Sequence, residues 1–402
     1  MGTAEIAGWM QHFKSGFQQL GHTVTTAVFE KSPFYNFEYD YELNKRFLNK
    51  LDNRVLPSSA YVQRLRRKIN NGIVYYRYKK FLQRLIDDHD LLFVLWNPFL
   101  GDSGELKYAR EKNKKIISVF VGSDARYFRA FKQQYDISHW VFPLDWDHAN
   151  PGFHVSLIRN AEKYSDLIYS LPDQAGLQLK PYYHIHVPIA SANFDFNIPG
   201  NKKLKVVHAP SVPFKKGTDI IERTLAKLQQ EGLDFELLSV RNMPNTEVLK
   251  LLYEADVLVD EIVYHGPGSL SFEAMLSGCA VATRYLEDSP ACFKPPVWPI
   301  DANTVYEQLK TLLSDHALIK NLAQQGREYA LKNNESAIIV QHMLEDLELR
   351  RPYDYYPRFL RDTYLSSGEQ ETTILNEWTN YVKDCNWYRD NIESGQREGL
   401  LF

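Results

Sequence analysis

Two doubly wound α/β domains facing each other across a cleft form the fold class that this sequence predicts, and three observations carry the prediction. Short, nearly continuous apolar runs recur, as strands buried on both faces of a parallel sheet require. Longer amphipathic helical stretches separate them. A polar break, SANFDFNIPGNKK (191–203), divides the runs into two series.

The first series reads HTVTTAVF (22–29), DLLFVLW (90–96), KIISVFVG (115–122), DLIYSL (166–171) and YHIHVPI (183–189). The second reads LKVVHAP (204–210), FELLSV (235–240), DVLVDEIV (256–263) and CAVATRY (279–285). Between them, GTDIIERTLAKLQQEG (217–232) and NTEVLKLLYEAD (245–256) carry helical periodicity, start at Thr or Asn and stop at Gly or Asp. Strand and helix in alternation imply right-handed crossovers and ligands at the carboxyl ends of the strands. The expected divisions are a first domain over 1–195, a second over 196–347 and an aromatic tail over 348–402, whose first part returns to the first domain. One irregularity stands at the start: GTAEIAGWMQHFKSGFQQLGH reads as loop and helix, which leaves the first strand of the amino-terminal sheet missing or atypical. A strand upstream of Met1 is the favoured explanation, because an absent central strand exposes its neighbours' edges.

Bulk properties exclude several classes. A net charge of −3 over 402 residues gives no general attraction to nucleic acid. Three scattered cysteines, at 279, 292 and 385, suit a reducing cytoplasm. No secretory pattern opens the chain, and no apolar window reaches the roughly 18 residues of a spanning helix. Between Arg54 and Arg84, however, nine Lys or Arg occur without an acid, interleaved with Tyr61, Tyr75, Tyr76, Tyr78 and Phe81. Such a segment is either a solvated helix face or a contact for anionic lipid headgroups or a lipid-linked acceptor's phosphate, peripheral to the inner face of a membrane. The tail, with RRPYDYYPRF and NEWTNYVKDCNWYRD, has aromatics suited to a subunit contact or to acceptor recognition.

Two loops carry candidate chemistry. In HGPGSLSFEAMLSGCA (265–280), Phe272, Met275 and Leu276 mark an apolar helix face with Glu273 on or beside it. The turn Gly266-Pro267-Gly268-Ser269 leaves a helix N-terminus whose first N–H groups lack acceptors and favour a phosphate. In HAPSVPFKKGTD (208–219), Lys216 and Gly217 stand between a strand and a helix, where a lysine can meet the same phosphate. Each loop alone is also an ordinary helix start or a solvated lysine. Their occurrence at equivalent strand ends of one domain favours a nucleotide-sugar site.

These segments, HAPS, KKGTDII, MPNTEVLKLLYEADVLVDEIV and HGPGSLSFEAMLSGCAVATRY, resemble the donor-binding domain of family 4 glycosyltransferases of the GT-B fold, with two Rossmann-like domains. The likeness covers about residues 204–347, where GREYALKNNESAIIVQHMLEDL continues it. It is looser in the first half, through the opening loop, GSDARYF (122–128) and KYSDLIYSLPD (163–173). The resemblance implies transfer of a sugar from a nucleotide-sugar donor to a hydroxyl of a glycan, glycolipid or other glycoconjugate, with retention and without a metal or other cofactor. It further implies that Glu273 holds the ribose hydroxyls, that Lys216 neutralises the diphosphate and that the amides of Gly268, Ser269 and Leu270 cap it. Two positions depart from the family: the first of its usual glutamate pair falls on His265, and its usual arginine falls on Ser211. Lys215 is the candidate second charge. On the acceptor side the candidates are Gly2 to Gly8 and Gly122-Ser123, with Asp124 and Arg126 orienting the acceptor hydroxyl, although GSDAR also reads as a capped helix start.

Asp145-Trp146-Asp147 imitates a metal-binding DxD but has no matching surroundings, and His184 and His186 lack a third ligand nearby, so no metal is expected. A catalytically silent nucleotide- or glycan-binding module and a sugar-nucleotide epimerase are the alternatives that this fold allows.

Overall fold

The computed structural model describes residues 2–43, 60–126, 131, 151–172, 176–178, 180–198, 200, 202–264, 266–285, 289–290, 293–349 and 351–354. Strands β1 (Gly2–Ala4), β2 (Ala27–Glu30), β3 (Tyr41–Glu42), β4 (Leu91–Leu95), β5 (Lys115–Phe120), β6 (Leu167–Ser170) and β7 (Tyr183–His184) form one sheet in the order β3-β2-β1-β4-β5-β6-β7. Every neighbouring pair in it is parallel. Helices α1 (Trp9–Gln19), α2 (Ala60–Asp87), α3 (Gly104–Glu111) and α4 (Pro151–Tyr164) connect them.

The first strand, expected to be missing, is present: Gly2–Ala4 pairs with β2 on one side and β4 on the other. Only three residues long and without large apolar side chains, it carries no periodicity of its own and is fixed by its neighbours. Gly2 is therefore a buried strand residue, not part of an acceptor-side loop.

A second sheet contains β8 (Leu204–His208), β9 (Phe235–Ser239), β10 (Val257–Val259), β11 (Ala280–Thr283) and β12 (Trp298–Pro299), in the all-parallel order β12-β11-β10-β8-β9. Around it lie α5 (Pro213–Lys216), α6 (Thr218–Gln230), α7 (Asn245–Glu254), α8 (Ser269–Ser277), α9 (Val305–Leu313) and α10 (His316–Asn333). Alternation along the strands builds a core on each face. Val206, Val257 and Val259 pack with Leu225 and Leu228 of α6 and Leu309 of α9. Val207, Leu258 and Val281 pack with Leu252 of α7 and Met275 and Leu276 of α8. Each such side chain, fully buried, contributes about 1.5–3 kcal/mol of burial free energy.

Helix α11 (Ser336–Leu349) crosses back to the first domain and packs on α1, with Gly16 of α1 against Ser336 and Val340. The crossing is thus made by a helix that the sequence assigns to the donor domain, and residues 351–354 continue it onto β7, where Tyr183 donates to the Arg351 carbonyl at 2.7 Å. The rest of the aromatic tail, from residue 355, lies outside the described residues. Strand order reverses between β1 and β4 in the first sheet and between β8 and β10 in the second. These switch points are where an open α/β sheet offers a crevice to a ligand.

Candidate functional site

Both switch points open onto one cleft of about 400 Å³, the size of a small-ligand site. The loops after β1 and β4 contribute Ile6, Trp9 and Trp96, and the loops after β8 and β10 contribute Lys215, Lys216, Glu261 and Gly266 to Ser269.

In the second domain the HAPS histidine is scaffolding. The buried His208 imidazole donates from Nδ1 to the Val259 carbonyl at 2.7 Å, which leaves Nε2 to accept from Thr218 Oγ1 at 2.9 Å. Burial holds it below the ordinary histidine range and hence neutral. It ties the ends of β8 and β10 to the start of α6, and the intervening loop delivers α5 to the cleft. There Lys216 Nζ donates to Asp260 Oδ1 at 2.8 Å and lies 3.3 Å from Glu261 Oε2. Burial alone would favour neutral lysine, but the two carboxylates more than offset it and raise the Lys216 pKa. Asp260 also accepts from Ser271 Oγ at 2.6 Å; burial works against its charge, yet Lys216 and Ser271 keep it below the usual carboxylate range. Burial wins at Glu261, which is pushed up to about 7 against the pull of Lys216. Lys215 is lowered to about 8 by burial, with the charges of Arg126 and Lys216 adding to the effect.

Gly268 caps α8, and a side chain on it would start 3.9 Å from Lys216 Nζ, so the lysine stands at the helix N-terminus. The Ser269 and Leu270 amides find no backbone acceptor among the described residues, while Ser269 Oγ accepts from the Trp9 indole at 2.9 Å. Open amides, the positive end of the helix and adjacent ammonium groups together suit an anionic phosphate.

Glu273 is placed differently from the expectation. It is buried, and its two oxygens accept from Tyr35 Oη and Asn245 Nδ2, each at 3.0 Å, on a side of α8 that does not line the cleft. Burial raises it to about 7 against these two hydrogen bonds. Tyr35 reaches it from the first domain, stacked on Phe37, and the segment is anchored where the Asn245 amide donates to the Phe34 carbonyl at 2.8 Å. In this state the protein itself satisfies the carboxylate assigned to the ribose.

The residues expected on the acceptor side divide. Gly122, Ser123 and Arg126 line the cleft, and the Arg126 guanidinium lies over the rings of Phe131 and Tyr264 at 4.4 and 5.2 Å. Asp124, expected to orient the acceptor, is instead buried against its own loop, accepting from the Val121 and Gly122 amides at 3.1 and 2.8 Å. Burial raises it to about 7, and it lies off the cleft lining: the capped-turn reading of GSDAR describes it. Gly8 also lies off the cleft. Its φ of +83° and the approach of His12 Nε2 to 3.0 Å from a would-be Cβ explain the glycine as the cap of α1.

Among the remaining expectations, Lys215, Gly266, Gly268 and Ser269 line the cleft, Leu270 packs into the core beside it, and Ser211 is exposed outside the lining. His265 and Asp145 to Asp147 lie outside the described residues. His184 and His186 make ring contacts with Phe293, and burial lowers both to about 4. Sequence reasoning missed Trp9, Tyr35, Asn245, Asp260 and Glu261. Of these, only the acids at the end of the apolar run DVLVDEIV left a local signal, because a charge pair closing a buried strand lies at the sheet's ligand end.

No known protein family and no curated protein matches the sequence. Solved structures do match in fold. A sucrose-phosphate synthase from Thermosynechococcus elongatus aligns over 87% of this chain and 99% of its own at 13% identity, with a TM-score of 0.54. An alpha-glucosyltransferase in complex with UDP and a mismatched DNA aligns over 86% and 98% at 11% identity, with a TM-score of 0.51. A glycosyltransferase from Rickettsia africae aligns over 86% and 96% at 11% identity, with a TM-score of 0.50. The architecture of this chain is that of GT-B glycosyltransferases, with two Rossmann-like domains facing a cleft.

Proposed function

We propose that the chain is a glycosyltransferase that moves a sugar, with retention, from a nucleotide-sugar donor to a hydroxyl of a glycan or glycoconjugate. The observation that carries this reading is the meeting of Lys216 with the open N-terminus of α8 at the switch point of the second sheet, facing Arg126 and Ser123 across the cleft. Breaking the bond from sugar to diphosphate leaves negative charge on the leaving oxygen. Fixed cations and aligned amides stabilise that charge more than they stabilise the bound donor, which lowers the barrier. Lys216, the Gly268 to Leu270 amides and Lys215 supply this on the donor side. Arg126 and the Gly122-Ser123 turn meet the acceptor, and Asp124 acts by holding that turn. Glu273 takes the ribose in exchange for Tyr35, whose hydroxyl a ribose hydroxyl can replace as donor to Oε1.

The test is a thermal-shift panel of UDP, GDP, ADP and CMP, followed by turnover of the matching donor. A ligand at a hundredfold its Kd should stabilise by about 2.7 kcal/mol. One clear shift, weakened in Glu273→Gln, with donor turnover that chelator leaves intact, supports the reading. Failure of every nucleotide to shift the protein would favour the silent binding module, and a metal requirement would return attention to Asp145 and Asp147.

A further inference from the structure

Glu261 is a buried carboxylate with one oxygen still open. The residue is 6% exposed and lines the cleft. Its Oε2 faces Lys216 Nζ at 3.3 Å, whereas no described residue donates a hydrogen bond to Oε1. Oε1 lies beside the glycine turn, 3.3 Å from where a side chain on Gly266 would begin and 4.0 Å from the same point on Gly268. The absence of side chains at those two positions leaves the carboxylate open toward the cleft.

We propose that Glu261 accepts hydrogen bonds from hydroxyls of the transferred sugar, and that the donor therefore carries a neutral glycosyl group and not a uronic or other acidic one. This rests on the glycosyltransferase reading above. If Lys216 meets the diphosphate, a carboxylate in contact with Lys216 lies within about one sugar ring of the anomeric carbon. With its pKa raised to about 7 by burial, Glu261 is ionised above about pH 8, where the binding comparison is made; an ionised carboxylate only accepts and sugar hydroxyls donate, so the pairing is complementary and charge-assisted. An acidic sugar would set a second anion against a group already buried, where repulsion is strong. Asp260 adds to that repulsion. Arg126 is the cation facing Glu261 from the first domain, and its guanidinium is already stacked over Phe131 and Tyr264.

The experiment compares binding of matched donors to the full chain: UDP-glucose against UDP-glucuronate, GDP-mannose against GDP-mannuronate, and ADP-glucose against ADP-glucuronate. For whichever diphosphate binds, the neutral form should bind about tenfold or more tightly than the acidic one. In Glu261→Gln that ratio should fall to within about threefold, while the bare nucleoside diphosphate binds as well or better because a competing charge near Lys216 is gone. If the diphosphate binds but wild type does not discriminate, or Glu261→Gln leaves the ratio intact, the inference is overturned and the glycosyltransferase reading stands. Binding of CMP-sialic acid would overturn it equally. Should Glu261→Gln fail to fold, the wild-type ratio still decides. If no nucleotide binds at all, the functional reading itself fails and takes this inference with it.

Discussion

Tyr35→Phe should weaken the fold and tighten nucleotide binding at once. The substitution keeps the ring that stacks on Phe37 and removes only the hydroxyl that donates to Glu273 Oε1 at 3.0 Å. Glu273 is 1% exposed, so water cannot readily replace the lost donor, and Asn245 Nδ2 remains on the other oxygen. A hydrogen bond to a charged group contributes about 1.5–3 kcal/mol, and that is the expected loss in unfolding free energy above pH 8. The same bond opposes the ligand if a ribose hydroxyl has to displace it. Wild type gives it up on binding and the variant has nothing to give up, so the Kd should fall by about tenfold, equivalent to roughly 1.4 kcal/mol. Urea denaturation and calorimetric titration with the nucleotide that stabilises wild type provide the two readings. Loss of stability with unchanged or weaker binding would refute the displacement argument: Tyr35 would then be a fixed domain contact and the ribose would not reach Oε1. No loss of stability would refute the assignment of a bonded, charged carboxyl at Glu273.

Three further perturbations separate the roles of the charged groups. Lys216→Ala strands Asp260 and Glu261 without their cation, so it should cost about 3–5 kcal/mol and abolish nucleotide binding, while Lys215→Ala weakens binding less; the reverse order, read by urea midpoints and titration, would mean that Lys215 is the phosphate ligand. Glu5, Glu105, Asp124, Glu261 and Glu273 all have pKa values raised to about 7, chiefly by burial. Their contribution to stability is full below the ordinary carboxyl range and lost as pH rises through about 7, so the melting temperature should be higher at pH 6 than at pH 8; a flat or opposite profile would show that these carboxyls stay ionised. On α2, Ile73 and Tyr76 are 47% and 61% exposed on one helix face with Arg77 and Lys80, and we propose this face as the lipid contact; Tyr75 lies on the other side, where it donates to Asp102 Oδ2 at 2.9 Å. Lys80→Glu changes the charge by two units and should weaken binding to anionic vesicles, read by sedimentation, roughly thirtyfold, at about 1 kcal/mol per unit of charge; equal binding to neutral vesicles would leave the face merely solvated.

The parts of the fold legible in the sequence were those with a local cause. Strands such as Val257–Val259 and Ala280–Thr283 are buried on both faces, so every position but the terminal Thr283 is apolar and the run stands out. β1 lacks that mark, because Gly2–Ala4 becomes a strand only by receiving β2 and β4 on either side. The same distinction governs the site. Lys216 and the glycine turn of α8 sit at strand and helix ends, which motif position alone identifies. Asp124 and Arg126 occupy one motif two residues apart and part company by reach: the short carboxylate closes on the amides of its own loop, while the long guanidinium extends to the cleft. Glu273 takes a partner 238 residues away in sequence, a contact that no window over α8 can contain. Charge balance is likewise a property of the assembled cleft. Lys215, Lys216 and Arg126 face Asp260 and Glu261, three cations against two carboxylates, and so leave one net positive charge for an incoming diphosphate. An ammonium or guanidinium at Ser211 would have added a fourth cation to that balance. Here the exposed serine leaves it low, so the protonation of Glu261, raised to about 7, and of Lys215, lowered to about 8, sets how much positive charge the diphosphate meets.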